Sequence, residues 1–371
     1  MIDTYIEMLA QKADSPKKTI EEASKKTGKR VVGWVAPYAP EEIIDAAGCI
    51  PAGLWGGEVE LKKARTYLPP FACSIMQSIM EYEADGTYDD ILSAVLIPAP
   101  CDTLKCFGQK WKGKCPAIPF VHPQNRRADS SNIFLANEYR MIIRKLEAIL
   151  DVKITEEALG ESIIFYNKYR ETMRTFTELA AEHPEVITPT KRHKIIKAGM
   201  FMDKREYVKI IRKIIWELRK LPETEWTGKK VVVTGITLEP QALLEIFEQF
   251  GIAIAADDLA QESRQFRTKV PYYGDAINSL AKQWQDHDGC SLAFDPYKSR
   301  MKMLVETARA KQADGIVIAL MKFCDPEEYD VPIIMEECKK AGIPVLTIEI
   351  DQQSTSFEQI KTRLQSFVET M

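Results

Sequence analysis

Short apolar runs alternate with amphipathic stretches along the first third of the chain. Apolar runs of strand length occur at residues 31–35, 91–97 and 117–121. Stretches with apolar residues three or four positions apart, the spacing typical of helices, separate and precede these runs. Strands that alternate with helices favour a parallel sheet covered by helices. We therefore predict an N-terminal helix and a first α/β domain within residues 1–130.

The pattern changes in the middle of the chain. Between residues 131 and 225, long charged stretches carry apolar side chains at helical spacing, as at Tyr139, Ile142 and Leu146, which predicts a helical segment. Residues 226–371 return to strand-like runs, at 231–233, 252–254, 315–318 and 344–348. The predicted fold class is therefore α/β, with two Rossmann-like or flavodoxin-like domains, mostly parallel sheets and a helical segment between them.

Composition narrows the choice of partners. The 371 residues include 50 Lys and Arg against 54 Asp and Glu, so no excess of positive charge favours binding to nucleic acid. Neither a secretory signal nor an apolar stretch of membrane-spanning length is present, and we expect a cytoplasmic protein that does not bind a membrane. In a reducing compartment the eight cysteines are explained by burial, a redox role or a metal rather than by disulfides.

Three cysteines lie where α/β proteins bind ligands, beyond the carboxyl ends of strands or at the entrance of a helix. Cys101 follows the run 91–97, Cys324 follows the run 315–318, and Cys73 comes after two prolines at a predicted helix start. A helix N-terminus is expected to lower the pKa of a thiol, and the thiolate is the form that binds iron. These cysteines form no local metal motif, so simple burial remains an alternative for each.

The other candidate residues favour structural roles. Cys106 is the strongest further ligand candidate because it shares the segment of Cys101, while burial or a loop position is expected for Cys49, Cys115, Cys290 and Cys338. The four histidines form no close pair that would indicate zinc. The charged residues from Asp257 and Asp258 to Arg267 are expected to form an internal ion-pair network. The chain has neither a dinucleotide-binding motif nor a Walker A motif, so any ATP must be hydrolysed by another protein.

Four segments of the sequence carry a resemblance to a known family. They are Phe71-Ala72-Cys73-Ser74, Cys101-Asp102-Thr103-Leu104, residues 257–264 and residues 322–329. Together they resemble the beta subunit of component D of the 2-hydroxyacyl-CoA dehydratases, a family related to benzoyl-CoA reductase. The similarity runs from about Val31 to near the C-terminus and includes, in the same order, residues 53–57, 122–126 and 349–353.

The resemblance implies a cofactor and partners. Cys73, Cys101 and Cys324 match three family cysteines that hold a [4Fe–4S] cluster, which we expect at the interface between the two α/β domains, with a non-protein group as the fourth ligand. The implied partners are a larger alpha subunit, which has its own cluster and most of the acyl-CoA site, and a separate ATP-hydrolysing iron–sulfur activator. Enzymes of the hydroxyglutaryl branch also carry reduced flavin mononucleotide, for which no residue is assigned here.

The implied activity is that of a hydro-lyase that converts 2-hydroxyacyl-CoA to 2-enoyl-CoA. Acid–base assistance contributes only about 10²–10⁴-fold, too little to remove a scarcely acidic β-proton, whereas one added electron gives a ketyl radical that expels the hydroxyl group. We expect the cluster of this subunit to relay that electron. The expected substrate is (R)-2-hydroxyglutaryl-CoA, with (R)-2-hydroxyisocaproyl-CoA as the alternative. A double-cubane-cluster reductase, a cluster-free scaffold subunit and a zinc protein are the competing hypotheses.

Overall fold

The computed structural model describes residues 2–111, 113–222 and 224–371. Within these ranges the chain forms two parallel sheets of four strands each, together with helices that cover the sheets and link them. This arrangement confirms the predicted α/β class with parallel sheets. The domain boundaries near residues 130 and 225 stay predictions.

The first α/β part contains six helices and four strands within the described residues. They are α1 (Ile2–Asp14), α2 (Pro16–Thr27), β1 (Val31–Val35), α3 (Glu41–Ala46), β2 (Ile50–Leu54), α4 (Ala64–Tyr67), α5 (Ser74–Ala84), β3 (Leu92–Ala99), α6 (Asp102–Gly108) and β4 (Ala117–Val121). The helical segment follows with α7 (Ser131–Leu150), α8 (Glu156–Glu182), α9 (Pro189–Ala198) and α10 (Lys204–Leu218).

The second α/β part has the same general plan. It consists of β5 (Lys229–Gly235), α11 (Gln241–Gln249), β6 (Ile252–Leu259), α12 (Ser263–Phe266), α13 (Ala276–Gln285), α14 (Ser299–Ala310), β7 (Gly315–Met321), α15 (Asp325–Ala341), β8 (Val345–Ile350) and α16 (Glu358–Thr370).

Both sheets have the same kind of strand order. The first is β2-β1-β3-β4 and the second is β6-β5-β7-β8, with every pair parallel. In each sheet the first strand is central and the chain moves outward on both sides of it. Such an order creates a crevice at the carboxyl ends of the central strands, which is where open α/β sheets bind ligands.

Strand β2 was not predicted from the sequence. Its residues include Pro51 and Gly53, both of which are depleted in strands. The structure tolerates them because β2 lies at the edge of its sheet and pairs on one side only, with Val32 of β1 opposite Pro51. Gly53 also lies against Trp34, and a β-carbon added there would come within 2.9 Å of the indole.

The helical segment has an apolar core of its own. Residues of α8, α9 and α10 pack together around Met173, Phe176 and Tyr207, all of them fully buried. Helix α1 joins this core through Ile6 and Leu9, although it precedes the first sheet in the chain. The N-terminal helix therefore packs with the helical segment. Among the described residues, no helix combines the length and apolar character needed to cross a membrane.

Candidate metal centre

The three predicted cysteines all occupy the same local position, the residue immediately before a helix. Cys73 precedes α5, Cys101 precedes α6 and Cys324 precedes α15. Cys101 comes two residues after the end of β3, and Cys324 comes three residues after the end of β7. In each of the two sheets, a strand-to-helix turn thus places one thiol beyond the carboxyl end of a strand, as the sequence predicted.

The thiols lie near one another. The charge of Cys101 acts on the Cys73 thiol, and the charges of both Cys73 and Cys101 act on the Cys324 thiol, raising the pKa in each case. Cys73 and Cys101 belong to the first α/β part, whereas Cys324 belongs to the second. The fold therefore brings near one another three thiols that are far apart in the sequence and that come from both α/β parts.

The pKa values of these thiols differ from the prediction. Burial raises the pKa of Cys73 to about 12, and it also raises the pKa of Cys101 and, most strongly, that of Cys324. Backbone amide groups at the helix starts act in the opposite direction, including those of Met76 beside Cys73 and Leu104 beside Cys101. The expected lowering by the helix N-termini is thus present but is outweighed by desolvation. The prediction of a net lowered pKa was wrong.

The three thiols are the candidate donors of this site. Throughout residues 2–111, 113–222 and 224–371, no three His, Cys, Asp or Glu side chains surround one metal-ion position. A cube differs from a single ion because each ligand sulfur binds a different iron atom, so the sulfurs stand farther apart. Three neighbouring thiols, each with helix amides beside it, have the chemistry of iron–sulfur ligands.

The remaining cysteines have other environments. Cys106 is exposed on α6, whereas Cys49, Cys115, Cys290 and Cys338 are buried. Cys290 lies in the crevice, where its sulfur is 3.0 Å from the hydroxyl oxygen of Tyr38. Sequence reasoning gave Tyr38 no role. Its positive φ of 70°, uncommon for an aromatic residue, is visible only in the structure.

A buried ion-pair network lies directly behind Cys324. Glu327, in the first turn of α15, is 2.7 Å from Arg300 and 3.2 Å from Arg264, and both arginines also bind Asp258 at 2.9 Å. Burial alone would raise the pKa of these two carboxyl groups, but the guanidinium groups hold both pKa values below the usual range. The predicted ion-pair network around Asp258 is confirmed.

A second network lies on the side of the helical segment. Arg192 pairs with Asp257 and Glu262, and the ring of His193 lies 2.9 Å from Glu262 and 3.1 Å from Glu239. Burial would lower the pKa of His193, yet these two carboxylates raise it above the ordinary value. Arg192 and His193 of α9 are therefore paired with Asp257 in β6 and with acids that follow β5 and β6.

His122, which follows β4, lies in a small cavity of about 60 Å³ in the crevice. Its ring is 4.5 Å from that of Trp284, centre to centre, and Tyr38 and His287 line the same cavity. Burial lowers the pKa of His122 to about 3. The imidazole is therefore neutral near pH 7, and its packing against aromatic rings is that of a structural residue.

This burial makes stability depend on pH. Between its ordinary pKa of 6.5 and about 3, His122 takes up a proton in the unfolded chain but not in the folded chain, so stability is lost as the pH falls. The difference in unfolding free energy between wild type and His122→Gln should shrink by about 1.4 kcal/mol per pH unit across this window. Urea unfolding at several pH values measures this difference. A difference that stays the same at every pH would contradict the expectation.

Comparisons with known proteins identify the family of this chain. The family model described as 2-hydroxyglutaryl-CoA dehydratase, D-component, matches residues 37–371. The chain is 49% identical to the lactoyl-CoA dehydratase subunit beta of Anaerotignum propionicum, over 100% of this chain and 99% of the relative. It is 41% identical to the (R)-phenyllactyl-CoA dehydratase beta subunit of Clostridium sporogenes, over 96% of each chain.

A more distant relative is also a dehydratase beta subunit. The (R)-2-hydroxyglutaryl-CoA dehydratase subunit beta of Acidaminococcus fermentans is 34% identical over 97% of each chain. The chain therefore belongs to the 2-hydroxyglutaryl-CoA dehydratase D-component family. The resemblance found in the sequence is confirmed, and so is the expected class of enzyme, a hydro-lyase, since these relatives are named as dehydratase subunits.

Proposed function

We propose that this chain is the beta subunit of an oxygen-sensitive 2-hydroxyacyl-CoA dehydratase, and that Cys73, Cys101 and Cys324 hold its [4Fe–4S] cluster. The observation that carries the proposal is that three thiols, each on the residue before a helix, come from both α/β parts and lie near one another in a chain of this family. If these buried thiols are to be present as thiolates they need a positive partner, and iron would supply one.

A cluster is favoured over zinc by the arrangement of the donors. A structural zinc site surrounds one ion with four protein ligands, and in the described part of the chain no such group of ligating side chains exists. Three cysteines without a fourth protein ligand suit a cube whose remaining iron binds a non-protein group. With only three candidate cysteine ligands, two clusters are not favoured either, because they would require six thiolates.

The bound cluster would supply one-electron transfer, which acid–base groups of a protein cannot provide. The chain's own residues would set the conditions for it. The amides of Met76 and Leu104 face the sulfurs and favour the thiolate form, while burial excludes water from the site. Hydrogen bonding and burial of this kind are among the features that determine the reduction potential of an iron–sulfur protein.

Two partners complete the proposal. The relatives are named as beta subunits, which supports an alpha subunit that carries most of the acyl-CoA site. The chain has no Walker A motif, and the electron is proposed to come from a separate ATP-hydrolysing activator.

The sequence identities with the relatives change the acyl group that we expect in the substrate. The sequence alone favoured (R)-2-hydroxyglutaryl-CoA, but identity is higher with the lactoyl-CoA relative, at 49%, than with the hydroxyglutaryl-CoA relative, at 34%. We propose that the substrate is a 2-hydroxyacyl-CoA without a second carboxylate, with lactoyl-CoA as the first candidate and phenyllactyl-CoA as the second.

Turnover measurements with the alpha subunit and the activator test this function. Anaerobic assays should show dehydration only when both ATP and activator are present, and lactoyl-CoA should exceed 2-hydroxyglutaryl-CoA in kcat/KM by about tenfold or more, the discrimination that about 1.4 kcal/mol provides. 2-Hydroxyisocaproyl-CoA serves as an apolar comparison. Dehydration without ATP would contradict the electron-relay proposal, and a preference for 2-hydroxyglutaryl-CoA would restore the original expectation for the substrate.

A further inference from the structure

Gln352 is a buried residue with four hydrogen bonds, three of which join the two α/β parts. Only 1% of it is exposed. Its side-chain nitrogen donates to the Trp55 carbonyl oxygen at 3.0 Å and to Glu239 Oε2 at 2.8 Å, and its side-chain oxygen accepts from Ser78 Oγ at 2.9 Å. Its backbone N–H donates to Ser74 Oγ at 3.1 Å. Both hydrogens of the amide and its oxygen are therefore used.

These bonds lead directly to the residues around two of the cysteines. Ser74, which accepts the backbone bond, is the neighbour of Cys73 and begins α5. The Ser74 hydroxyl in turn donates to the sulfur of Met321 at 3.1 Å. Met321 is the last residue of β7, the strand that leads to Cys324. One continuous chain of hydrogen bonds thus links Gln352, the start of α5 and the end of β7.

The backbone holds Gln352 on the side of Cys324. Strand β8 ends two residues before Gln352, and Ile350 of β8 pairs with Met321 of β7. The amide of Lys322 continues the pairing by donating to the Ile350 carbonyl oxygen at 2.9 Å. Gln352 is therefore attached to the strand pair that carries Cys324, while its hydrogen bonds reach across to the helix that carries Cys73.

The junction is tight on the side of Gly56, where Gln352 meets Ser78. Gly56 lies beside it with a φ of +70°, and a β-carbon at Gly56 would stand 2.0 Å from Ser78 Oγ and 2.8 Å from Gln352 Oε1. Ser74 and Ser78 are themselves buried. A buried amide whose hydrogen bonds are all made holds its neighbours to one arrangement.

We propose that Gln352 is a positioning residue that sets the separation between Cys73 and Cys324, so that both can bind one cluster. This inference rests on the proposed function, because it presupposes that the two thiols share a cofactor. Groups that support metal ligands in this way typically change metal affinity by about 10–100-fold when they are replaced.

Iron release provides the test. Wild type and Gln352→Leu, both purified anaerobically with the alpha subunit, are exposed to an iron chelator, and the loss of the beta-subunit cluster is followed by its absorbance and its electron paramagnetic resonance spectrum. We expect release about 10–100-fold faster in the variant, with a changed spectrum of the reduced cluster. Release within about twofold of wild type would overturn the inference.

Two control variants separate positioning from general weakening of the fold. Asn132→Ala removes the bond from the buried Asn132 to the Asn278 carbonyl oxygen, which joins α7 to α13, helices that adjoin none of the three cysteines. Gln353→Ala removes the bond from the next residue to the Gly57 carbonyl oxygen. Both are expected to release iron at the wild-type rate, and equally fast release from Asn132→Ala would show that Gln352 acts only through stability.

A charge swap covers the case in which Gln352→Leu does not fold. Gln352→Glu places a second carboxylate against Glu239, whereas the double variant Gln352→Glu, Glu239→Gln restores a donor and an acceptor at that contact with no change in total charge. We expect slower iron release from the double variant than from Gln352→Glu. No difference between them would overturn the inference, while a wild-type chain without iron would overturn the proposed function itself.

Discussion

Replacing Cys324 with alanine is expected to remove the iron of this subunit and all dehydratase activity while leaving a folded chain. The proposed cluster has only three protein ligands, and the two that remain are too few to hold it. Helix α15 keeps its other start signals, namely Pro326 in its first positions and the acids Asp325, Glu327 and Glu328 in its first turn, which favour that helix end without the thiol. Iron and acid-labile sulfide analysis, with circular dichroism for the fold, measures the outcome.

The matched control is Cys106→Ala. Cys106 lies on α6, close in sequence to Cys101, but its side chain is exposed, so wild-type iron content and activity are expected. The wild-type chain should contain about four iron atoms, the content of one [4Fe–4S] cluster. About eight would favour the double-cubane reductase, and a chain without iron–sulfur absorbance would favour the scaffold hypothesis. Full iron content in Cys324→Ala would eliminate the assignment of this ligand.

Replacing Arg264 with methionine is expected to lower the free energy of unfolding by about 3–5 kcal/mol, the usual cost of removing one partner from a buried ion pair. The Arg264 guanidinium is fully buried and contacts both Asp258 and Glu327. Arg300 continues to pair with both acids and Arg267 with Asp258, but Glu327 loses one of its two arginine partners. Urea unfolding measured on the purified chain gives the change.

Two further variants define the cause of that change. Lys340→Met removes exposed pairs with Glu336 and Glu337 on α15, and no measurable loss of stability is expected from it. Arg264→Lys keeps the charge but loses the planar fork that binds two carboxylates at once, so it should recover only part of the stability. If Arg264→Lys had the unfolding free energy of wild type, charge alone would matter. If Arg264→Met had it too, the buried-network interpretation would be contradicted.

The network and the metal centre share one helix. Glu327 is held by Arg264 and Arg300 in the first turn of α15, and Cys324 is the residue before that helix. Because buried charges are stable only when they are paired with good geometry, the network gives the start of α15 a defined place. Residues 322–329, which carry part of the family resemblance, include both Cys324 and Glu327. The pairing of Glu327 with the two arginines is a physical reason for an acidic residue so close to the cysteine.

Much of the site could be predicted because its parts are local. A strand followed by a cysteine and then a helix is visible in the sequence at Cys101 and at Cys324, since apolar runs and helix-start residues are near neighbours in the chain. The acidic and basic residues around Asp258 were likewise recognisable as an internal network, because charges that follow a buried strand must find partners.

Other features depend on residues that are distant in the sequence. Gln352 belonged to a matched segment, residues 349–353, but nothing local indicated that its amide would reach Trp55 and Ser78. The pKa of Cys73 was predicted in the wrong direction because the helix start is local, whereas the burial that raises the pKa to about 12 is produced by the surrounding fold. Strand β2 was missed because its edge position, which accommodates Pro51, is a property of the whole sheet.

The sequence by itself determined the succession of strands and helices, the helix-start positions of three cysteines and the family to which the chain belongs. Only the tertiary structure decided that these three thiols lie near one another, that desolvation outweighs the helix amides, and that Gln352 connects the two α/β parts. The physical reason is the range of the forces involved. Backbone propensity and capping act between neighbours in the chain, whereas burial and hydrogen bonding across the crevice depend on which surfaces meet.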